Sequence, residues 1–213
     1  MVDKILQYGK LAKYYDVMYS WKDYHRESEV VRQLIGRYKQ SRGRALLDVG
    51  CGTGKHLEAL AGNFDCVGVD SSGDMLGLAM QNVAGVEFVR GDMETFDLGR
   101  EFDVVLCLFS AVGHVETCPR LAKTLHNFAR HLRPGGVAII EPWLTRSTFE
   151  DDHIHVLTQG TDDLEVVRVS HATMERGRSV LDMRIVVAER GKGMKTYRDR
   201  MVWDSSRWTS SWT

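Results

Sequence analysis

Three glycines and three carboxylates carry the clearest chemistry in this sequence. Gly50, Gly52 and Gly54 fall in the string LLDVGCGTG, where an apolar run gives way to a helical pattern. A turn of that kind lets the backbone approach a ligand with no Cβ in the way, and the free N–H groups of the next helix face it. Asp48 stands two residues before the first glycine, and Asp70 twenty residues after it. A carboxylate at the second place accepts hydrogen bonds from both hydroxyls of a ribose. Asp92-Met93 follows a third apolar run. There an Asp accepts from an adenine amino group and a Met packs on the ring. Phe109-Ser110 closes a fourth run, at the edge where ligands bind in open parallel sheets. Together these residues describe an adenosine site. A dinucleotide-binding turn differs, because its third glycine would stand at position 55, which is Lys55 here.

Those positions need alternating strands and helices, and the hydrophobic pattern supplies them. Leu11, Tyr15 and Met18 lie at helical spacing, as do Val30, Val31, Leu34, Ile35 and Tyr38, which predicts lead helices. Gly43 breaks the pattern and RALLDV reads as a strand. Helix is then predicted over 55–61, strand at CVGVD, helix over 74–81 and strand at VEFV. Strand FDVVLCLF, a helix over 120–132 ending at Pro134-Gly135-Gly136, and strand GVAIIEP follow. Continuous apolar strands between helices indicate a Rossmann-like α/β fold, a parallel sheet with helices on both faces. After Trp143 the pattern changes. LEVVRVSHA, VLDMRIVVAE and MKTYRDRMVW read as strands joined by the hairpin-length links ERGRS and ERGKG. They form an antiparallel sheet added to the first domain. The expected division is 1–143 for a cofactor domain with its lead helices, 144–203 for an antiparallel substrate region, and 204–213 for an atypical tail.

Composition excludes several classes. With 28 Lys+Arg against 29 Asp+Glu, the net charge is -1, so no strong field draws nucleic acid or an anionic membrane. No apolar run reaches the length of a bilayer span. The opening MVDKILQYGKLAKYYD carries charge throughout and lacks the apolar centre of a secretory leader, so a cytoplasmic protein is expected. Of the four cysteines, Cys51, Cys66 and Cys107 fall in predicted strands or their ends, and none is in C-x-x-C spacing with another. Buried free thiols are the plain reading. His153 and His155 have strand spacing but no third ligand in view, so no metal is expected.

LLDVGCGTG, Asp70, the GDM at 91–93 and the RPGG at 133–136 stand in the order and spacing of the class I S-adenosylmethionine methyltransferases, which the chain resembles. The resemblance implies S-adenosylmethionine as cofactor. It also implies a cofactor site made of Tyr15, Asp48, Gly50, Cys51, Gly52, Gly54, His56, Asp70, Ser71, Asp92, Met93, Leu108 and Phe109. A closer resemblance is to the dTDP-amino-sugar N,N-dimethyltransferases of macrolide sugar biosynthesis. KDYHRE, LLDVGCGTGKHL, GDMETFDLGREFD, CLFSAVGHV, FARHLRPGGVAIIEPW and RVSHA carry it, over about Tyr8 to Tyr197. It implies methyl transfer to a small molecule, with the amino group of a nucleotide-linked sugar as favoured acceptor. The alternatives are transfer to oxygen or carbon of another metabolite, and a subunit that binds cofactor without turnover. A dehydrogenase is the remaining one.

In that family a histidine matching His114 lies near the reacting amine, and a tyrosine matching Tyr8, through a one-residue gap, reaches it. Both are candidate catalytic residues. The other reading of His114 is a loop residue capping a carbonyl. Tyr24, Trp143, Arg168 and Ser170 fall on the substrate side by the same resemblance. For Tyr24 the alternative is helix packing. For Arg168 and Ser170 it is a solvated strand face. One departure stands out. The family continues past its added sheet with a helix and two strands, whereas this chain reads DSSRWTSSWT after its last predicted strand. The expectation is a truncated or altered C-terminal part, with the strand GVAIIEP left at an edge that a homodimer would cover.

Overall fold

The computed structural model describes residues 6–115, 117–145 and 147–203. The expected tail at 204–213 lies outside them. In chain order the elements begin with 3-10 turns at Leu6–Tyr8 and Ala12–Tyr14, then α1 (Tyr15–Met18) and α2 (Tyr24–Tyr38). There follow β1 (Ala45–Val49), α3 (Lys55–Leu60), β2 (Asp65–Asp70), α4 (Gly73–Asn82) and β3 (Glu87–Arg90). After β4 (Phe102–Cys107) come a 3-10 turn at Ala111–His114, α5 (Cys118–Arg130) and β5 (Leu132–Ile140). The last four strands are β6 (His153–Thr161), β7 (Leu164–Glu175), β8 (Arg178–Glu189) and β9 (Gly193–Trp203). Among the described residues no helix is long and apolar enough to cross a membrane.

Two compact units result. Asp23–Pro142 holds a five-stranded sheet in the order β3-β2-β1-β4-β5, parallel throughout. Nearly all of β1 and β2, and every residue of β4, is buried, so the sheet needs cover on both faces. Leu46, Val104 and Leu106 pack with Val31 and Ile35 of α2 and Leu57 and Leu60 of α3. Leu47 and Val105, next in each strand, point to the opposite face and are also fully buried. Each such side chain contributes roughly 1.5–3 kcal/mol by leaving water. The buried stripe of α2 is Ser28, Val31 and Ile35, while Val30 and Tyr38, counted with the apolar period, are exposed.

Local signals start the helices. Asp23 accepts from Arg26 N–H at the head of α2, and Ser72 from Met75 N–H at the head of α4. Thr117 does the same for α5, with a proline in its first turn. These are side-chain caps of the usual kind. The strand β5 starts four residues earlier than GVAIIEP, at Leu132, and its RPGG string carries a left-handed Gly135 (φ 78°). A register shift lies between Phe102 and Val104, where Leu132 and Val137 are the respective partners.

The other unit joins Met1–Lys22 to Trp143–Thr213. Its four-stranded antiparallel sheet runs β6-β7-β8-β9. The ERGRS link turns tightly at Arg176-Gly177, both with positive φ (51° and 81°). This division differs from the expected boundary in its first residues. Leu11, Tyr14 and Met18 are buried among Val166, Met183, Ile185 and Met201, so the opening segment belongs with the antiparallel sheet. The strand β6 was not among the expected ones. It pairs with β7 from His153↔Ala172 to Thr161↔Leu164; its short alternation, His153 to Val156, sets Ile154 and Val156 on an exposed side rather than in a core.

Candidate functional site

In the parallel-sheet unit, the loop after β1 is held by hydrogen bonds to the end of β2. Gly50 N–H and Cys51 N–H donate to the Val69 carbonyl at 2.7 and 3.1 Å. Gly50 and Gly52 both have positive φ, 76° and 55°. They differ in what surrounds them. A Cβ on Gly50 would meet the Ala111 Cβ at 2.6 Å, so Gly50 is needed for packing against the turn after β4. A Cβ on Gly52 would meet nothing within 4 Å. The loop is open at Gly52, and a ligand has direct access to its backbone there. Gly54 caps α3, and Lys55 sits in its first turn, paired with Glu58.

Asp70 ties this loop to β2. Its Oδ2 accepts from Gly52 N–H at 2.9 Å and its Oδ1 from Ser72 N–H at 2.8 Å. Burial raises its pKa, and the backbone donors at Ser72, Gly52 and Ser71 oppose that rise. An ionised carboxylate offers about four lone-pair sites, so acceptor capacity remains for a diol. Asp48 lies deeper. It is fully buried, and its Oδ1 has no hydrogen-bond partner. Burial and the neighbouring Asp70 push its pKa up to about 7. Burial likewise lifts the thiols of Cys51, Cys66 and Cys107, Cys66 to about 12, so all three are protonated and inert. Two close carboxylates, one with an orphaned oxygen, and an open glycine make a place for a cationic ligand. S-adenosylmethionine, positive at sulfur and at its amino group, fits that demand.

The remaining candidates follow along successive strand ends of the same sheet. Asp92 Oδ1 accepts from Glu94 N–H at 2.8 Å, and Asn127 of α5 donates to the Met93 carbonyl at 3.2 Å. Leu108 is buried; Phe109 and Ser110 both take positive φ, 49° and 58°. His114 closes the 3-10 turn that follows, half-buried, and burial pushes its pKa down to about 4. Its imidazole is neutral at physiological pH. Tyr24 and His56 meet each other, rings edge to face at 5.0 Å, and His56 Nε2 lies 2.9 Å from Glu27 Oε2. His56 is thus engaged with α2.

In the antiparallel unit the sequence-predicted residues form two groups. Tyr8, Tyr15 and Tyr19 make a chain of rings, with centroids 6.1 and 4.6 Å apart. The Arg168 guanidinium lies 5.4 Å from the Tyr19 ring centroid and donates to its hydroxyl at 2.9 Å, while its Nε is buried without a partner. Tyr19 in turn donates to Gln7, whose N–H is held by Asp199. The solvated-face reading of Arg168 and Ser170 is therefore corrected. Ser170 is buried and donates to the His155 carbonyl of the neighbouring strand β6, and the opening segment packs on that face. Trp143 stacks on Trp203 at 3.9 Å and donates to Ser179 at 2.8 Å. Sequence reasoning missed Gln7, Tyr19, Asp199 and Trp203. Only Tyr19 carried a signal, one helical turn beyond Tyr15.

Comparison with known proteins agrees with this geometry. Residues 46–136 match the family model described as a methyltransferase domain. The chain is 37% identical to dTDP-3-amino-3,4,6-trideoxy-alpha-D-glucopyranose N,N-dimethyltransferase of Streptomyces venezuelae, over 88% of this chain and 80% of the relative. It superposes on the crystal structure of DesVI from the same organism with a TM-score of 0.86 and 35% identity, covering 92% of this chain and 84% of that one. CalS10 of Micromonospora echinaspora, an amino pentose methyltransferase solved with S-adenosylmethionine bound, gives 0.76 and 34%, covering 86% and 77%. The opening glycine turn, its two carboxylates and the antiparallel sheet thus have one explanation: the chain belongs to the S-adenosylmethionine-dependent methyltransferase family of the dTDP-amino-sugar N,N-dimethyltransferases.

Proposed function

We propose that this enzyme methylates the amino group of a nucleotide-linked sugar. The observation that carries the reading is the neutral, half-buried His114 at the end of β4, beyond a loop built for a cationic cofactor. S-adenosylmethionine, when bound, supplies an activated methyl group, so the protein has mainly to bind and align. Asp70 accepts from the ribose hydroxyls, Asp48 faces positive charge, and Gly50, Cys51, Gly52, Gly54 and Ser71 form the backbone cradle. Asp92, Met93, Leu108 and Phe109 take the adenine side, and Tyr15 and His56 complete the cofactor set.

The acceptor must present a neutral nitrogen lone pair. With a pKa of about 4, His114 is too weak a base to strip an ammonium ion. It works by accepting an N–H of an amine that arrives already neutral, and so fixes the lone-pair direction. Holding cofactor and acceptor in line is worth roughly 7–11 kcal/mol as a whole, and the His114 contact contributes a part of it. Tyr8 is assigned to the amine as well, and Tyr24, Trp143, Arg168 and Ser170 to the nucleotide-sugar side. The identity with amino-sugar methyltransferases over most of their length supports this assignment. A small acceptor rather than nucleic acid accords with the balanced charge, and a cytoplasmic homodimer completes the reading.

The test is direct. Enzyme and S-adenosylmethionine are incubated with dTDP-3-amino and dTDP-4-amino sugars and with their hydroxyl analogues, and products are read by mass spectrometry. Gain of one or two methyl groups on the amines alone supports the proposal. Methylation of the hydroxyl analogues supports oxygen transfer instead. Cofactor binding without product on any acceptor supports the inactive subunit.

A further inference from the structure

The backbone at Phe109 and Ser110 is strained, and the structure shows what holds it. Neither residue is glycine, yet both sit in the left-handed region, φ 49° and 58°. Such conformations persist only where the surroundings impose them. Two contacts from the end of β5 do so. Glu141 Oε2 accepts from Phe109 N–H at 2.7 Å, and the Pro142 carbonyl accepts from the Ser110 hydroxyl at 3.0 Å.

The ladder explains why a side chain is needed. The pair Cys107↔Ile140 continues with Glu141 N–H donating to the Cys107 carbonyl at 2.9 Å. In a parallel ladder the next bond would run from Phe109 N–H to the Glu141 carbonyl. The chain turns out of the sheet instead, and the Glu141 carboxylate replaces the carbonyl as acceptor.

The turn held in this way carries the residues beside the glycine loop. Ser110 opens the 3-10 turn that ends at His114. Ala111, its first residue, packs so closely on Gly50 that a Cβ there would fall 2.6 Å from the Ala111 Cβ. A shift of the Phe109-Ser110 backbone therefore moves Phe109 and His114 together and presses on the cofactor loop.

We propose that Glu141 is a positioning residue for methyl transfer: its carboxylate locks the Phe109-Ser110 turn, and through it the register of His114 and of the glycine loop. The proposal rests on placing cofactor and acceptor at this edge of the sheet, and its test separates the two.

Three variants are compared: Glu141→Ala, Glu141→Gln and Ser110→Ala. Amide exchange of Phe109, followed by NMR on the protein without ligands, reads the clamp alone. Protection in wild type and in Glu141→Gln, whose amide oxygen can still accept, and at least tenfold faster exchange in Glu141→Ala, are expected. Wild-type protection in Glu141→Ala overturns the clamp. For function, Glu141→Ala should lower kcat at least tenfold and weaken S-adenosylmethionine about fivefold, with melting temperature within a few degrees of wild type. Glu141→Gln should restore most of both, and Ser110→Ala should fall between them. Wild-type kcat and affinity in Glu141→Ala with its Phe109 amide exposed would keep the clamp and remove its role in the reaction. Glu141→Gln as impaired as Glu141→Ala would show that charge, not the hydrogen bond, matters, and would overturn the proposal. If Glu141→Ala does not fold, Glu141→Gln and Ser110→Ala decide by the same readings.

Discussion

Gly52 N–H donates to Asp70 Oδ2 at 2.9 Å, and this bond joins the open glycine of the β1 loop to the carboxylate at the end of β2. One acid therefore does two tasks. It sets the loop, and it keeps acceptor capacity, which we assign to the ribose.

Removing that acid should weaken the cofactor for both reasons. A hydrogen bond to a charged group is worth about 1.5–3 kcal/mol, and tenfold in affinity is about 1.4 kcal/mol. Asp70→Ala should bind S-adenosylmethionine at least tenfold more weakly by calorimetry. Unchanged affinity would refute the ribose assignment.

Asp48 should make cofactor binding depend on pH. Its folded pKa, about 7, lies above the ordinary 3.8, with Asp70, Cys51, Cys66 and Cys107 as its acidic neighbours. Between those two values the ligand-free folded chain keeps a proton that the unfolded chain has lost. Its stability contribution is therefore full below about 4 and declines as pH rises to about 7. A cation beside Asp48 favours the ionised form. Binding should tighten by up to about tenfold per pH unit below 7, level off above it, and release a proton. Calorimetry in buffers of different ionisation enthalpy measures that release. Asp48→Asn should abolish it, and a flat profile in wild type would place the cation elsewhere.

His114 has the opposite sign. Its folded pKa, about 4, lies below the ordinary 6.5, so the unfolded chain takes a proton the folded chain refuses. Stability from this group is complete above about 6.5 and is lost as pH falls to about 4. In catalysis, kcat/KM should show no limb near pH 6.5. It should rise with the pKa of the free acceptor amine. His114→Asn should slow turnover about ten- to a hundredfold and leave cofactor affinity intact. A variant as fast as wild type at every pH would show that His114 takes no part.

The strand β5 pairs only with β4 among the described residues, and none of its residues is buried. An unpaired apolar edge is a template for another chain. A homodimer in light scattering is expected, with slow amide exchange over Ala138–Ile140 that speeds on dilution. A monomer with the same slow exchange at every concentration would exclude a second copy as the cover.

The sequence by itself determined the parallel sheet and the glycine loop after β1. Apolar runs such as FDVVLC can be stable only when covered on both faces, and β4 is buried at every residue. The glycines at 50 and 52 and the acids at 48 and 70 lie on either side of two strand ends, where local chain geometry already places them. The hydrophobic period also marked the strands β7, β8 and β9. It left out β6, whose short alternation buries no apolar side, Ile154 and Val156 staying exposed, and which is held by its full ladder to β7. Nor could it assign the opening residues to the antiparallel sheet, since the bond from Gln7 to Asp199 spans 192 positions. Arg168 and Ser170 alternate like a wet face, yet Ser170 is buried and Arg168 half-buried, because a segment remote in sequence packs on that face. In sequence, Glu141 reads as the end of the strand GVAIIEP. Its role depends on Phe109, 32 residues away, turning out of the sheet in a conformation that sequence does not announce. Burial sets the pKa of Asp48 and His114, and burial is a property of the packed chain. Periodicity and spacing act over a few residues and survive in the sequence. Partners brought together across the chain, and the loss of water they cause, exist only once it has folded.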